Sequence, residues 1–340
     1  MTVPTGPASG TEPASSTERI LVIRLGALGD LVQCFDAFQA IRRRHPSAHI
    51  TLLTGSAFVG FGRTMPWFDA VWADPRGRNP LAYLRLRSRL RAGGFDTIYD
   101  LQNKPRTARY FWLMGPGRRP LWSGAAKGAA FPLPQVAGLH NHDRYRVQLE
   151  AAGVPDTGPA DLGWLAGEVG ALAPEGPFVL LVPGCSPHLP HKRWPADRYA
   201  ALGRRLADRG LTPVVVGTEA DRDAAQAIVR DCPWAVDLVG RTSLAQLASL
   251  ARRAEGAVGN DTGPIFLTAA LGCPTLMIMS HHTDPARSAP WGPDATWIKV
   301  LDLADLGVDA VETALRLRPK PDIGPDIGPD GEPDRENGAV

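Results

Sequence analysis

The feature that most restricts this chain is an alternation of short β-rich runs and segments with helical spacing, played through twice. Residues 19–25 (Arg-Ile-Leu-Val-Ile-Arg-Leu) form an apolar run closed by glycine, and residues 30–44 then align Leu31, Cys34, Phe35, Phe38 and Ile41 along one helical side. The spacing predicts strands over 49–53, 70–73 and 95–100, and a helix over 81–92. Residues 150–176 are punctuated by Gly153, Pro155, Gly158, Pro159, Pro174 and Gly176, a composition suited to a connection between two units. The alternation then restarts, with strands expected over 178–182, 212–216, 257–258 and 275–279 and helices over 195–209, 220–231, 244–253 and 264–271. Strands joined through helices pair in parallel by right-handed crossovers. The expected fold class is therefore α/β, with two Rossmann-like, doubly wound parallel-sheet domains over residues 19–165 and 166–318, joined at about 166–177. A chain of 340 residues exceeds what one core usually covers, which agrees. Residues 1–18 and 319–340 are rich in Pro, Gly, Ser, Thr and acid and are expected to be disordered tails.

Charge and cysteine usage narrow the class of partner. Residues 19–165 hold 20 Lys+Arg against 10 Asp+Glu, whereas residues 166–340 hold 17 against 23. A basic first half suits an anionic partner there: phosphates, acidic sugars or an anionic lipid surface. With a formal net charge of +2 and no nucleic-acid reading module, nucleic acid is not the expected partner. Four cysteines, at 34, 185, 232 and 273, are too dispersed for a metal clip or redox pair and read as reduced thiols of a cytoplasmic protein. No run approaches the roughly 18 apolar residues of a membrane span, so a membrane would be met at its surface.

Parallel α/β domains bind ligands beyond the carboxyl ends of their strands, so the turns there are where chemistry is sought. Gly26-Ala27-Leu28-Gly29-Asp30 follows the first strand. Its glycines allow a tight turn and close approach of a ligand at Gly26, but the spacing is not that of a dinucleotide fingerprint. Asp30, taken alone, reads as an N-cap; at a cleft edge it is also a carboxylate able to take a proton from a hydroxyl nucleophile. The loop from Pro183 to Pro195 offers the Ser186 hydroxyl and the Lys192 cation to phosphate oxygens. His188 and His191 lack a third partner, so no metal is expected, and His281-His282-Thr283-Asp284 reads as a polar loop lining the cleft. Gly259-Asn260-Asp261-Thr262-Gly263-Pro264 ends a strand and opens a helix, presenting the amides of Thr262 and Gly263 as an anion site, with Asp261 suited to a sugar hydroxyl. Glu219, in the turn after 212–216, could accept hydrogen bonds from ribose. Arg85 with Arg89, and Arg87 with Arg91, share helical faces; with Arg76 and Arg78 they could grip anionic groups of an acceptor.

Three of these turns and a strand running into a capped helix occur together in order: Leu25–Asp30, the Pro-Gly loop ending Lys192-Arg193-Trp194-Pro195, Leu238-Val239-Gly240-Arg241-Thr242-Ser243-Leu244, and Asn260–Pro264. In this they resemble glycosyltransferase family 9, the ADP-heptose:lipopolysaccharide heptosyltransferases. The resemblance implies a GT-B architecture and an inverting, metal-independent, cofactor-free transfer of heptose from ADP-heptose to a lipopolysaccharide-core or related glycan. It implies Asp30 as the base on the acceptor hydroxyl. It implies that Lys192, Ser186, Thr262 and Gly263 hold the donor pyrophosphate, Glu219 the ribose and Asp261 the donor sugar. Gly26, Arg85 and Arg89 are the expected acceptor contacts. The expected setting is a cytoplasmic monomer, in peripheral contact with the inner membrane and acting on an anionic glycolipid. The sequence departs from the family at Phe266, where a histidine is usual, and at Cys34–Asp36, where Thr and Pro are common. Two other readings share the motifs: a nucleotide-sugar epimerase, which would want further acid/base residues in the cleft, and a non-catalytic nucleotide-sugar- or glycan-binding protein, against which Asp30 and Lys192 argue.

Overall fold

The structure, a computed structural model, describes residues 17–75, 79–115, 119–156, 158–186 and 188–319. Most of both expected tails, and Arg76 and Arg78, lie outside the described residues.

The first half runs β1 (Arg19–Ile23), α1 (Leu28–Val32), α2 (Phe35–Arg44), β2 (His49–Gly55), α3 (Val59–Gly62), β3 (Ala70–Asp74), α4 (Pro80–Ala92), β4 (Thr97–Asp100), α5 (Pro105–Ala108), α6 (Tyr110–Leu113), β5 (Leu121–Gly124), β6 (Phe131–Pro132) and α7 (Asn141–Ala151). The second half runs β7 (Phe178–Val182), α8 (Ala196–Asp208), β8 (Thr212–Val215), α9 (Arg222–Asp231), β9 (Val236–Asp237), α10 (Leu244–Arg253), β10 (Gly256–Asn260), α11 (Gly263–Ala270), β11 (Thr275–Ser280), α12 (Pro285–Ser288), β12 (Ala295–Val300) and α13 (Val308–Ala314). Six parallel strands order as β3-β2-β1-β4-β5-β6 in one sheet and β12-β11-β10-β7-β8-β9 in the other. Read from the opposite edge, the second order is the first repeated: each half places its opening strand centrally and reverses direction beside it. That is the doubly wound arrangement, and its switch points lie between β1 and β4 and between β7 and β10.

The central strands explain themselves. Ile20, Leu21, Val22 and Ile23 are fully buried, as are Val179, Leu180 and Leu181. A parallel strand covered on both faces is apolar at every position rather than at alternate ones. One apolar cluster runs through both halves, from Phe35, Phe38 and Trp67 to Ile265, Leu267 and Met277.

Two expectations are corrected. Residues 30–44 are not one helix: the chain turns at Gln33–Cys34 between α1 and α2. Asp30 is not the N-cap of α1 but its third residue, the cap being Ala27, whose N–H donates to Asp30 Oδ2 at 3.0 Å. The connection between the halves is stitched to both of them from residue 159 onward. Gln39 donates to the Pro159 carbonyl and Asp36 accepts from the Ala160 N–H on one side, while Arg252 donates to the carbonyls of Leu162 and Leu165 on the other. Trp164 packs edge-on against Phe35 and Trp67.

Candidate functional site

The functional turns meet in a cleft of about 600 Å³, a size ordinary for a small-molecule site. Its walls come from the turns after the strands that flank the two switch points. Asp30 follows β1; Gln102, Asn103 and Lys104 follow β4; Ser186 and Lys192 follow β7; Asp261, Thr262 and Gly263 follow β10. Asn141, Arg144 and Tyr145 of α7 and His282, Thr283 and Arg287 beyond β11 close the sides.

On the first-half wall, Arg24 organises the carboxylate. It is buried at the end of β1, donates through Nη1 to the Leu101 carbonyl at 2.7 Å, and pairs through Nη2 with Asp30 Oδ1 at 3.0 Å. Burial opposes the charge, but Tyr145, Cys34, Asp30 and Asp100 around the guanidinium outweigh it and hold its pKa above the ordinary range. Both Asp30 oxygens are therefore partnered, one by Arg24 and one by the Ala27 N–H, while the side chain stays partly open to the cleft. The turn that delivers it needs a glycine at position 26: φ is +107°, and a Cβ there would lie 2.4 Å from the Phe58 ring. Beneath lies Asp100, whose Oδ2 is buried without a partner; burial pushes its carboxyl up to about 6, against hydrogen bonds to Oδ1 from the N–H groups of Asn103 and Gln102 and the charge of Arg24.

On the facing wall, Lys192 Nζ lies 2.6 Å from Asp261 Oδ2, which also accepts from the Thr283 hydroxyl at 2.7 Å. The loop that presents Lys192 is fixed from below by Asn260, fully buried. Asn260 donates to the Pro183 carbonyl at 2.7 Å, and its Oδ1 accepts from the Trp194 N–H at 3.0 Å and the Tyr199 hydroxyl at 3.1 Å. Thr262 caps α11, and Gly263 and Pro264 open it, so the first amides of the helix face the cleft without intrahelical partners. His282 adds an imidazole to this wall, its ring 4.0 Å from that of His191; partial loss of solvent and the neighbouring His191, His281 and Lys192 lower its pKa.

Asp30, Ser186, Lys192, Asp261, Thr262 and Gly263 are thus brought to one cleft, as the sequence led one to expect. Others are not. Glu219 does not line it: its carboxylate is exposed and held by Arg222 at 3.0 and 2.8 Å. Arg85 and Arg89 line a separate hollow with Ala73, Pro75 and Leu86, where Arg89 lies over the Trp72 ring at 4.3 Å. Gly26 shapes the turn without lining the cleft. Reading the sequence missed Arg24, although a charge ending the fully apolar run Ile20–Ile23 signals a buried ion that needs a partner. It also missed Asn141, Arg144 and Tyr145, because α7 buries only Tyr145, Gln148 and Leu149 and so carries a faint apolar stripe. Among the described residues there is no cluster of three or more His, Cys, Asp or Glu that could hold a metal ion, and no helix long and apolar enough to cross a membrane.

Known proteins share this arrangement. The chain is 25% identical over 309 residues to the lipopolysaccharide heptosyltransferase 2 of Escherichia coli K12, covering 83% of this chain and 88% of that one. Its structure superposes on a family 9 glycosyl transferase from Veillonella parvula with a TM-score of 0.73 at 21% identity, covering 87% and 95% of the two chains. It superposes on the E. coli heptosyltransferase WaaC, solved with ADP, with a TM-score of 0.69 at 19% identity, covering 87% and 98%. The architecture is accordingly GT-B. The sequence model of glycosyltransferase family 9 (heptosyltransferase) matches residues 83–306, and the chain belongs to that family of glycosyltransferases.

Proposed function

We propose that this protein transfers a heptose from ADP-heptose to a hydroxyl of a lipopolysaccharide-core or related glycan, with inversion and without a metal. One observation carries the reading: across a single cleft, a carboxylate held by a buried arginine faces a lysine and the open amides of a helix start. Asp30 takes the proton of the acceptor hydroxyl as its oxygen attacks the anomeric carbon, from the side opposite the diphosphate. The bond from that carbon to the diphosphate oxygen breaks, and ADP leaves with the electron pair. Lys192, Ser186 and the amides of Thr262 and Gly263 bear the charge that develops, the task a divalent cation would otherwise perform. Asp261 holds a donor-sugar hydroxyl when Lys192 turns from it to the phosphates. Glu219 serves the ribose only by exchanging Arg222 for ribose hydroxyls.

The acceptor reading rests on the first half. Helices α4, α5 and α6 contain no acidic residue, while α4 alone has four arginines, and Leu81, Leu84 and Trp112 stand 63%, 57% and 56% exposed. α5 begins next to Lys104, which lines the cleft. A basic face studded with exposed apolar side chains fits an anionic lipid surface at the cytoplasmic face of a membrane, from which a glycolipid would reach the cleft. Arg85 and Arg89 belong to this face.

Incubation with ADP-heptose and a truncated lipopolysaccharide core tests the reading. ADP release that requires the acceptor supports it. Nucleotide-sugar binding without release from any donor would instead make the chain a binding protein, and donor conversion without acceptor an epimerase.

A further inference from the structure

The helices that bring Asp30 and the anion-binding amides into the cleft touch each other directly, through glycines. A Cβ on Gly29 of α1 would lie 2.6 Å from Phe266 Cδ2 and 3.0 Å from Cε2. A Cβ on Gly263 of α11 would lie 2.6 Å from Leu28 Cβ. The contacts are reciprocal: α11 sends a ring onto the bare backbone of α1, and α1 sends Leu28 onto the bare backbone of α11. Separations this short are closed to any residue with a side chain. Gly29 and Phe266 are both buried, and both border the cleft. Asp30 is the next residue after Gly29, and Thr262 the one before Gly263. The ring also separates the cleft from a second, largely apolar cavity of about 470 Å³, lined in part by Phe35, Leu162 and Trp291.

We infer that Phe266 and Gly29 are a positioning pair: the ring seated on the glycine sets the distance between the Asp30 carboxylate and the start of α11. The inference rests on the transfer reading above and assigns Phe266 no contact with substrate. A methyl on Gly29 would overlap the ring by about 1 Å relative to ordinary contact. The ring can yield toward the cleft or toward the apolar cavity, and either movement takes it off α1. Either way the two walls lose their seat, and displacements of about 1 Å in a reacting geometry lower rates by roughly a hundredfold.

The test compares Gly29→Ala, Phe266→Leu and the double variant for kcat, for ADP affinity by calorimetry and for melting temperature. Gly29→Ala should lower kcat at least tenfold with the ADP Kd within twofold of wild type. Phe266→Leu should lower kcat several-fold, again without affecting ADP. Combined, the shorter side chain should make room for the methyl and raise kcat at least threefold above Gly29→Ala. A Gly29→Ala enzyme with wild-type kcat, or a double variant whose loss is the product of the single losses, overturns the pairing. If Gly29→Ala does not fold, recovery of folding in the double variant supports the pairing and equal failure overturns it. Failure of the transfer reading shows separately, as a wild type that releases no ADP. The pairing is then read from the melting temperatures, where additive shifts contradict it.

Discussion

Asp30 and Asp100 lie on either side of Arg24 in charge terms, yet the structure treats them oppositely. Asp30 is partly open and has both oxygens engaged. Asp100 is fully buried, with one oxygen unpartnered. For Asp100 the sign is plain: its pKa in the fold, about 6, lies above the ordinary 3.8. The fold therefore favours the neutral form, a contribution that is complete below about pH 4 and is lost as pH rises through about 6. Above that, ionisation costs the fold about 3 kcal/mol. Asp100→Asn should thus stabilise the protein by up to about 3 kcal/mol at pH 8 and by little at pH 4, as read by urea unfolding at the two pH values. An equal effect at both would contradict the assignment. The sequence sets Asp30 in a glycine turn and Asp100 at a strand end, but it does not show which of the two is buried. What separates them is the depth of the turn and the place of Arg24.

At the scale of elements, legibility followed the strength of the apolar pattern. The central strands and α8, α9 and α10 were readable because burial on one stripe or on both faces leaves an unbroken signal. β5, β6, α7, β12 and α13 were not. β6 is two residues long, β12 alternates half-buried and exposed positions, and α7 is mostly polar. The split between α1 and α2 was hidden since Leu31, Phe35, Phe38 and Ile41 are all buried whether or not the helix is continuous. The three motif turns were legible as turns, and they deliver residues to the cleft. Glu219, Arg85 and Arg89 were plausible by type, but only tertiary structure shows which way a turn or helix faces. Asn260 ties the two ends of the loop between β7 and α8 together. Asn260→Ala would leave the Pro183 carbonyl and the Trp194 N–H unpaired in the interior and take one of two partners from the Tyr199 hydroxyl, which also donates to the Val182 carbonyl. It should cost about 3 kcal/mol or more in stability and weaken ADP binding, as seen by urea unfolding and calorimetry. A loss below about 1 kcal/mol would mean the loop holds itself.

For the whole molecule, two sheets of identical strand order face one cleft, and charge is divided between the halves: basic in the first, acidic in the second. The proposed lipid-facing surface makes a prediction at this scale. The full chain should sediment with vesicles of phosphatidylethanolamine containing about a third phosphatidylglycerol, and less so as salt rises, since surface charges are screened within about 10 Å at 0.1 M. Leu84→Ser with Trp112→Ser should reduce binding while leaving transfer to a soluble truncated acceptor unchanged. Binding that ignores both the anionic lipid and the two substitutions would remove α4 and α6 from the account.

The central claim is that Asp30 acts as the base across from a donor held by the other half, and one comparison addresses it most directly. Acceptor-dependent ADP release and ADP affinity are measured side by side for wild type and Asp30→Asn, a substitution that keeps the shape and removes the proton acceptor. The account predicts a fall in kcat of roughly a hundredfold or more, the usual worth of a general base, with the ADP Kd within twofold of wild type. Turnover near the wild-type rate in Asp30→Asn would contradict it.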